Sequence, residues 1–383
     1  MTPKNYKILI TGSKGFIAKN LILRLSEIPN FEVLRFTKDQ SLNKLTSLIK
    51  NTDAIIHLAG ENRPDNITDF KKNNSDFTSS LAEILSNEIQ KTNRKIPLIF
   101  SSSTQVNLDN HYGRSKLNAE NTLKTFSKEY NNPLYIYRLP GVFGKWCKPH
   151  YNSVVATFCS NIANNIDIDI HEPDKELRLV YIDDVVDSFI ANIVNTETTF
   201  TQVFLDIEYK VSLGELGNLL KSFHSKRKNI LIDEVGTGFH RALYSTYISY
   251  LPTDDFSYSL TCHEDSRGRF VEMLKTKNSG QFSFFTAHPG ITRGGHYHHT
   301  KTEKFLVIKG KARFLFRHMN SGEVKELITN GSSSEVVDTV PGWAHDITNI
   351  GDEELIVMLW ANENFNKHSP DTITYELQKN EEN

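Results

Sequence analysis

Cysteine is scarce in this 383-residue chain: Cys147, Cys159 and Cys262 are an odd number, with no CxxC pair. A disulfide framework is therefore excluded, and a reducing, cytoplasmic setting is expected. Long apolar runs are missing too, since none approaches the ~20 residues that a membrane-spanning helix needs. Charge of one sign is also lacking. A formal net charge of −2 leaves no electrostatic footprint for nucleic acid or an anionic membrane surface. The opening MTPKNYKILITG runs almost directly into a strand-like segment and offers no room for a signal peptide. No internal repeat or low-complexity tract interrupts the chain. Its length suggests about two domains of ~100 to 200 residues each.

What is present is concentrated first in GITRGGHYHHTKTEKFLVIKG. The spacing runs Gly290, five residues, His296, one, His298, four, Glu303, six, Gly310. Residues two apart in a strand face the same side, so an extended segment aims both imidazoles at one point. After the Thr300-Lys301-Thr302 turn, Glu303 can return to that point, and His345 in WAHDITN is available from a later strand. Three imidazole nitrogens and a carboxylate suit zinc, iron, manganese, nickel or copper. The spacing matches the first cupin motif, and His345 with Asn349 resembles the end of the second. That second motif departs where Pro341 directly precedes Gly342. An isolated His-x-His would far more often be packed or solvent-facing than a ligand pair.

Toward the amino terminus, KILIT enters Gly12-Ser13-Lys14-Gly15-Phe16-Ile17-Ala18, followed by the helix-spaced NLILRLSEI. Strand, glycine turn and helix form the context in which backbone N–H groups hold a pyrophosphate. After the next apolar run, Arg35, Thr37 and Lys38 stand where an NAD site would place an acid, so a 2′-phosphate and NADPH are expected. DAIIHLAG reads as a buried parallel strand whose end, Leu58, Ala59 and Gly60, passes beneath the cofactor. IFSSST is another buried strand, followed by Tyr112-Gly113-Arg114-Ser115-Lys116. On a helix, Tyr112 and Lys116 share a face one turn apart. The ammonium is expected to lower the phenol's pKa from ~10, and the Ser103 hydroxyl to meet a carbonyl oxygen. Strands alternating with helices predict a doubly wound α/β sheet.

TGSKGFIA, HLAG, SSS with YGRSK, YRLPGVFG and VYIDDVV together resemble the extended short-chain dehydrogenase/reductase family, in its nucleotide-sugar branch. The resemblance implies catalytic Ser103, Tyr112 and Lys116, a helical asparagine at Asn74, and cofactor contacts at Gly12, Gly15, Phe16, Ile17, Arg35, Lys38, Leu58, Ala59 and Gly60. Two positions depart from the family: the Ser103-to-Tyr112 loop is short, and Gly141 replaces an asparagine. FGKWCKPHYNSVVATFC sits where this branch binds its nucleotide-sugar, which implies substrate contacts at Lys145, Trp146, Asn152 and Ser153. Lys148 is a further candidate there, and a plain surface loop is the alternative for each of these residues. Asp183-Asp184 reads as a helix N-cap.

From Lys221 the pattern loosens, and the domain boundary is expected near Arg241 to Thr253, giving residues 1–245 to a reductase and 246–383 to an all-β cupin barrel. The tyrosine-rich segment there suits docking to another domain or subunit. Short alternating strands follow, and the terminal KNEEN is expected to fray. The whole chain resembles bifunctional capsular-polysaccharide enzymes in which a reductase precedes a cupin. That resemblance implies a UDP-linked 4-keto amino sugar as substrate, NADPH, a divalent metal with zinc expected, and a homodimer. It also implies C3 epimerisation in the cupin followed by C4 reduction to the L-talosamine nucleotide. The alternative is a reductase whose cupin only binds or dimerises around its metal.

Overall fold

The computed structural model describes residues 5–193 and 200–377; KNEEN lies outside them. The chain forms two compact units, Met1–Lys221 with Gly236–Pro252, and Ser222–Val235 with Thr253–Asn383. Residues 222–235 thus belong with the carboxyl-terminal part and 236–252 with the amino-terminal part. No helix among the described residues is long and apolar enough to cross a membrane.

In the first unit, β1 (Tyr6–Thr11), β2 (Phe31–Phe36), β3 (Ala54–His57), β4 (Leu98–Ser103) and β5 (Leu134–Leu139) are parallel. They lie in the order β2-β1-β3-β4-β5, with Phe200–Val203 at the edge. Helices on a parallel sheet bury both of its faces, which is why β3 is buried at every residue and reads as an uninterrupted apolar run. Leu9, Ile55, Leu98 and Ile136 share a core with Leu81 and Leu85 of helix Phe77–Thr92 and Leu123 of helix His111–Tyr130. The chain order reverses between β1 and β3, so their carboxyl ends flank the crevice in which such sheets bind ligands.

Arg241 to Thr253, expected to carry the boundary, falls largely within helix Gly238–Ile248. Tyr247 is fully buried there, and the Tyr250 hydroxyl donates to the Cys147 carbonyl within the same unit. Packing inside the first unit takes up aromatic side chains that the sequence suggested for docking.

The second unit is built on one seven-stranded and one five-stranded sheet. Gln281–Ala287, Leu355–Ala361 and Glu303–Lys309 are central strands of the larger sheet; Lys311–His318, Trp343–Asn349 and Thr292–Tyr297 are central in the smaller. Alternation sets their faces, as Leu355–Ala361 is buried at every second residue. Phe285, Phe305 and Val357 of the larger sheet share a core with Phe314, Phe316 and Ile347 of the smaller. That core carries His345 at its rim, against the rings of Phe305 and Phe316.

Candidate functional sites

At the end of β1 the backbone of Gly12 turns to φ +68°, and a Cβ there would lie 2.7 Å from the Ala59 backbone. Glycine lets the β1 turn and the residues after β3 nearly touch. Gly15 precedes helix α1 (Phe16–Ser26) without a side-chain cap, so the first-turn N–H groups of Phe16 and Ile17 are positioned for an anion. At Gly60, a Cβ would meet both Asn74 Oδ1 and Lys116 Nζ at 3.1 Å. This cradle stays open only because its rim is glycine. Asn74 lies in the π-helical turn Lys71–Asp76 and donates to Ser115 Oγ at 2.8 Å and the Glu61 carbonyl at 3.1 Å.

A hydrogen-bond chain braces the cradle from below. Ala59 N–H donates to Thr11 Oγ1, and Thr11 meets His57 Nδ1 at 2.7 Å. His57 Nε2 meets Thr78 Oγ1 at 2.9 Å, which donates to the Asn74 carbonyl. Burial pushes His57 down to about 3 with Lys116 adding to the effect, and the donors run one way only if the ring is neutral.

The short Ser103-to-Tyr112 loop is a tight 3-10 turn, Thr104–Asn107, after which Asn110 caps helix His111–Tyr130 by accepting from Gly113 N–H at 2.7 Å. This compact path places Ser103 within hydrogen-bonding reach of the Tyr112 phenol. One turn on, Lys116 is buried, with Nζ donating to the Ser101 carbonyl at 2.9 Å. The phenol behaves opposite to expectation. Burial raises it to about 12, against a smaller lowering by Ser103. Burial also lowers Lys116 to about 8, with Glu120 opposing. Desolvation outweighs the Ser103 hydroxyl, so Tyr112 holds its proton at neutral pH.

The remaining expected contacts are more open. Arg35 and Lys38 are exposed, and Lys38 Nζ lies 3.4 Å from Glu61. Lys145 pairs with Asp183 at 2.7 Å and sits 5.7 Å over the half-exposed Trp146 ring. Asp183 and Asp184 fall in the first turn of helix Ile182–Ile193. The Ser153 hydroxyl accepts from Ala156 N–H at 3.2 Å as the cap of helix Val154–Ala163, while Asn152 is exposed.

In the second unit His296, His298, Glu303 and His345 bring ligand atoms within 4.8 Å of one another. Gly294 and Gly295, both at positive φ, interrupt the register of Thr292–Tyr297, so that His296 falls opposite His345. Gly342 N–H donates to the His298 carbonyl at 2.9 Å, closing the turn despite the adjacent Pro341. His298 Nε2 lies 3.3 Å and His345 Nε2 3.5 Å from Glu303 Oε2. Burial would raise the Glu303 carboxyl, but His298, His345 and Lys301 outweigh it and hold it well below the carboxylate range. Burial first, then His345, pushes His296 down to about 3.

Two features show that these residues fit a divalent cation. His298 Nδ1 faces the Asp371 carbonyl, which can only accept, so Nε2, 3.3 Å from Glu303 Oε2, is the nitrogen that would serve a cation in place of its contact with the carboxylate. Both ring nitrogens of the buried His345 lack a hydrogen bond. Three imidazoles and a carboxylate whose ligand atoms converge this closely are a metal-ligand arrangement. Sequence reasoning missed two neighbours. Lys301, which the sequence shows only as part of a turn, is buried with Nζ 2.9 Å from Glu303 Oε1, and Asp371 carries no local signal.

Comparison with known proteins decides the family. The model of the NAD dependent epimerase/dehydratase family matches residues 8–202, and that of a polysaccharide biosynthesis C-terminal domain matches 263–373. The chain belongs to the NAD dependent epimerase/dehydratase family. A UDP-2-acetamido-2,6-beta-L-arabino-hexul-4-ose reductase of Pseudomonas aeruginosa is 51% identical over 366 residues, 96% of this chain and 97% of that protein. The capsular polysaccharide assembling protein CapF from Staphylococcus aureus superposes with a TM-score of 0.88 at 41% identity, over 97% of this chain and 100% of its own. CapF with the inhibitor 3-isopropenyl-tropolone gives 0.83 at 38%, over the same shares. The likeness to CapF therefore runs end to end, and the family is one that depends on a nicotinamide cofactor.

Proposed function

We propose that the chain acts twice on a UDP-2-acetamido-2,6-dideoxy-hexos-4-ulose: the β-rich unit, read as a cupin, epimerises C3, and the first unit reduces the C4 ketone with NADPH. The product would be UDP-N-acetyl-L-talosamine. What carries this reading is the presence on one chain of a protonated phenol beside Ser103 and a separate three-histidine, one-carboxylate cluster.

A ketone at C4 makes the neighbouring C3–H acidic, so one carbonyl serves both steps. A divalent cation held there, with zinc expected from the resemblance, would supply charge that polarises the ketone and stabilises the anion formed when a base takes the C3 proton, before a proton returns to the opposite face. His296, His298, Glu303 and His345 would hold it, with Lys301 orienting Glu303. Bound NADPH supplies the hydride. Ser103 orients the carbonyl by hydrogen bond, and Tyr112 gives its proton to the C4 oxygen as negative charge develops there. A phenol raised to about 12 is in the protonated state that this direction needs. Lys116 lies at the Gly60 rim, where it would hold the nicotinamide ribose, and Arg35 and Lys38 would meet the 2′-phosphate. Lys145, Trp146, Asn152 and Ser153 would line the nucleotide-sugar. Tropolones offer paired oxygens that suit a divalent cation, which agrees with the inhibitor bound by CapF. A cytoplasmic homodimer accords with the resemblance.

The Pseudomonas relative is named for reduction alone, which favours a second reading in which the cupin metal is structural. Incubating the 4-keto sugar in D₂O without NADPH separates the two. Deuterium should enter C3, and His296→Ala should stop it. Absence of exchange in the metal-loaded protein, or exchange that survives His296→Ala, would overturn the epimerase assignment and leave the reductase standing.

A further inference from the structure

The metal ligands come from three separate segments, and one short strap near the carboxyl end touches the segment of His296 and His298 and the turn that leads to Glu303. Asp371 Oδ1 accepts from His299 N–H at 2.9 Å. Its Oδ2 accepts from Thr300 N–H at 2.7 Å, Lys301 N–H at 2.8 Å and the Thr300 hydroxyl at 3.0 Å. One carboxylate thus closes the whole turn between His298 and Glu303. The same residue's carbonyl accepts from His298 Nδ1. Two residues on, Ile373 and Thr374 pair with Tyr297 and His296, and Tyr375 N–H donates to the Gly295 carbonyl at 2.8 Å.

Each contact has a consequence at the cluster. Donation to a carbonyl fixes which His298 nitrogen keeps its proton and leaves Nε2 free as the donor atom. Holding Lys301 N–H sets the backbone from which its ammonium reaches Glu303 Oε1, so Oε2 faces the histidines. His345 lies outside the strap's reach and is held by its own central strand.

We propose that Asp371 is a positioning residue for the metal centre, presenting His298 and Glu303 as ligands before a cation arrives. The inference rests on the metal reading of the cluster. It concerns a residue that supplies no ligand atom and lies 68 positions from Glu303 in the sequence. Without the carboxylate, three backbone N–H groups lose their acceptor, the turn loosens, and binding must order it.

The test uses the full chain. Zinc affinity is measured by competition with a chromophoric chelator, and the visible spectrum of the cobalt(II)-loaded protein is recorded. The variants are Asp371→Asn, which keeps the shape but turns donors toward donors, Asp371→Ala, and His296→Ala as the direct-ligand control. Removing an outer partner of a metal ligand costs about ten- to a hundredfold in affinity. A loss of that size in both Asp371 variants is expected, with altered cobalt bands and an apoprotein melting temperature close to wild type. Wild-type affinity and spectrum in Asp371→Asn would overturn the proposal, provided that His296→Ala binds weakly. An affinity loss that appears only alongside an unfolded apoprotein would also overturn it, reducing Asp371 to a turn cap. If His296→Ala binds as well as wild type, the metal reading itself has failed, a result distinct from either.

Discussion

The two sites solve the problem of holding charge in a buried place by opposite means. At the parallel sheet, backbone carries most of the design: Gly12, Ala59 and Gly60 bring main chain close together, and the titrating side chains are few. Burial there pushes Lys116 down to about 8 and Tyr112 up to about 12, each toward its neutral form. In the β-rich unit, side chains carry the design. Burial would neutralise Glu303 too, yet two histidines and an ammonium keep it ionised. The first site is thus vulnerable to an added methyl group, the second to the loss of one donor atom. A cofactor that brings its own chemistry needs shape, whereas a bare cation needs ligands.

Two substitutions should break the comparison cleanly if the sites are independent. Tyr112→Phe removes the proton donor while keeping the ring that packs near Phe70. Reduction of the 4-keto sugar, followed by NADPH absorbance, should fall by about 10² to 10⁴-fold, with zinc affinity unchanged. Glu303→Gln should do the reverse. It removes the negative donor, and zinc affinity should drop by at least tenfold in chelator competition, following the ligand-charge logic of such sites. NADPH binding, measured by its fluorescence, should stay at wild type. If Tyr112→Phe strips the metal or Glu303→Gln abolishes cofactor binding, the two sites are coupled and the contrast fails.

What the sequence discloses follows the same division. The parallel sheet is readable because each strand is a short apolar run with its chemistry at the end, as in KILIT before Gly12 and AIIH before Leu58-Ala59-Gly60. The metal cluster is readable because three of its four donors lie within eight residues of one another, and strand periodicity supplies the shared face. Contacts made only by folding are hidden. No local pattern links Asp371 to a turn 70 residues earlier, and nothing in TKTEK shows that Lys301 is buried against Glu303 rather than solvated. The Tyr112 shift is misread for a related reason. Sequence shows the neighbouring ammonium, but burial decides the sign, and burial belongs to the fold. The helix Gly238–Ile248 escapes because its two tyrosines, serine and threonine give weak helical spacing, and packing in the first unit overrides that.

Backbone-built and ligand-built sites should also differ in how they answer a methyl group. Gly12→Ala places a Cβ 2.7 Å from Ala59 at φ +68°. It should cost about 1–3 kcal/mol of stability and weaken NADPH binding, without touching zinc affinity. Calorimetry of the apoprotein with a cofactor titration checks both. An unchanged NADPH affinity would mean that the β1 turn is not the cofactor cradle.

The smallest effect expected is also the most diagnostic of how the reductase site is built. Lys116 titrates near 8 in the folded chain and about 10.5 when exposed, chiefly through desolvation. Between those values the unfolded chain binds more protons than the folded one, so stability contributed at this position rises as pH increases from 8 toward 10.5. Below pH 8 the fold carries a charge that it would be more stable without. Lys116→Met, of similar length and uncharged, should therefore abolish reduction while raising stability at pH 7 by about 1 kcal/mol, after the lost Ser101 hydrogen bond is offset. The gain should shrink by pH 10, as the wild-type amine loses its proton. Urea unfolding of both proteins at pH 7 and pH 10 reads this as a difference of differences, which cancels other titrating groups. A variant that is less stable at pH 7, with the deficit unchanged at pH 10, would mean that Lys116 holds the fold together, and that this site relies on side-chain interactions as much as the histidine cluster does.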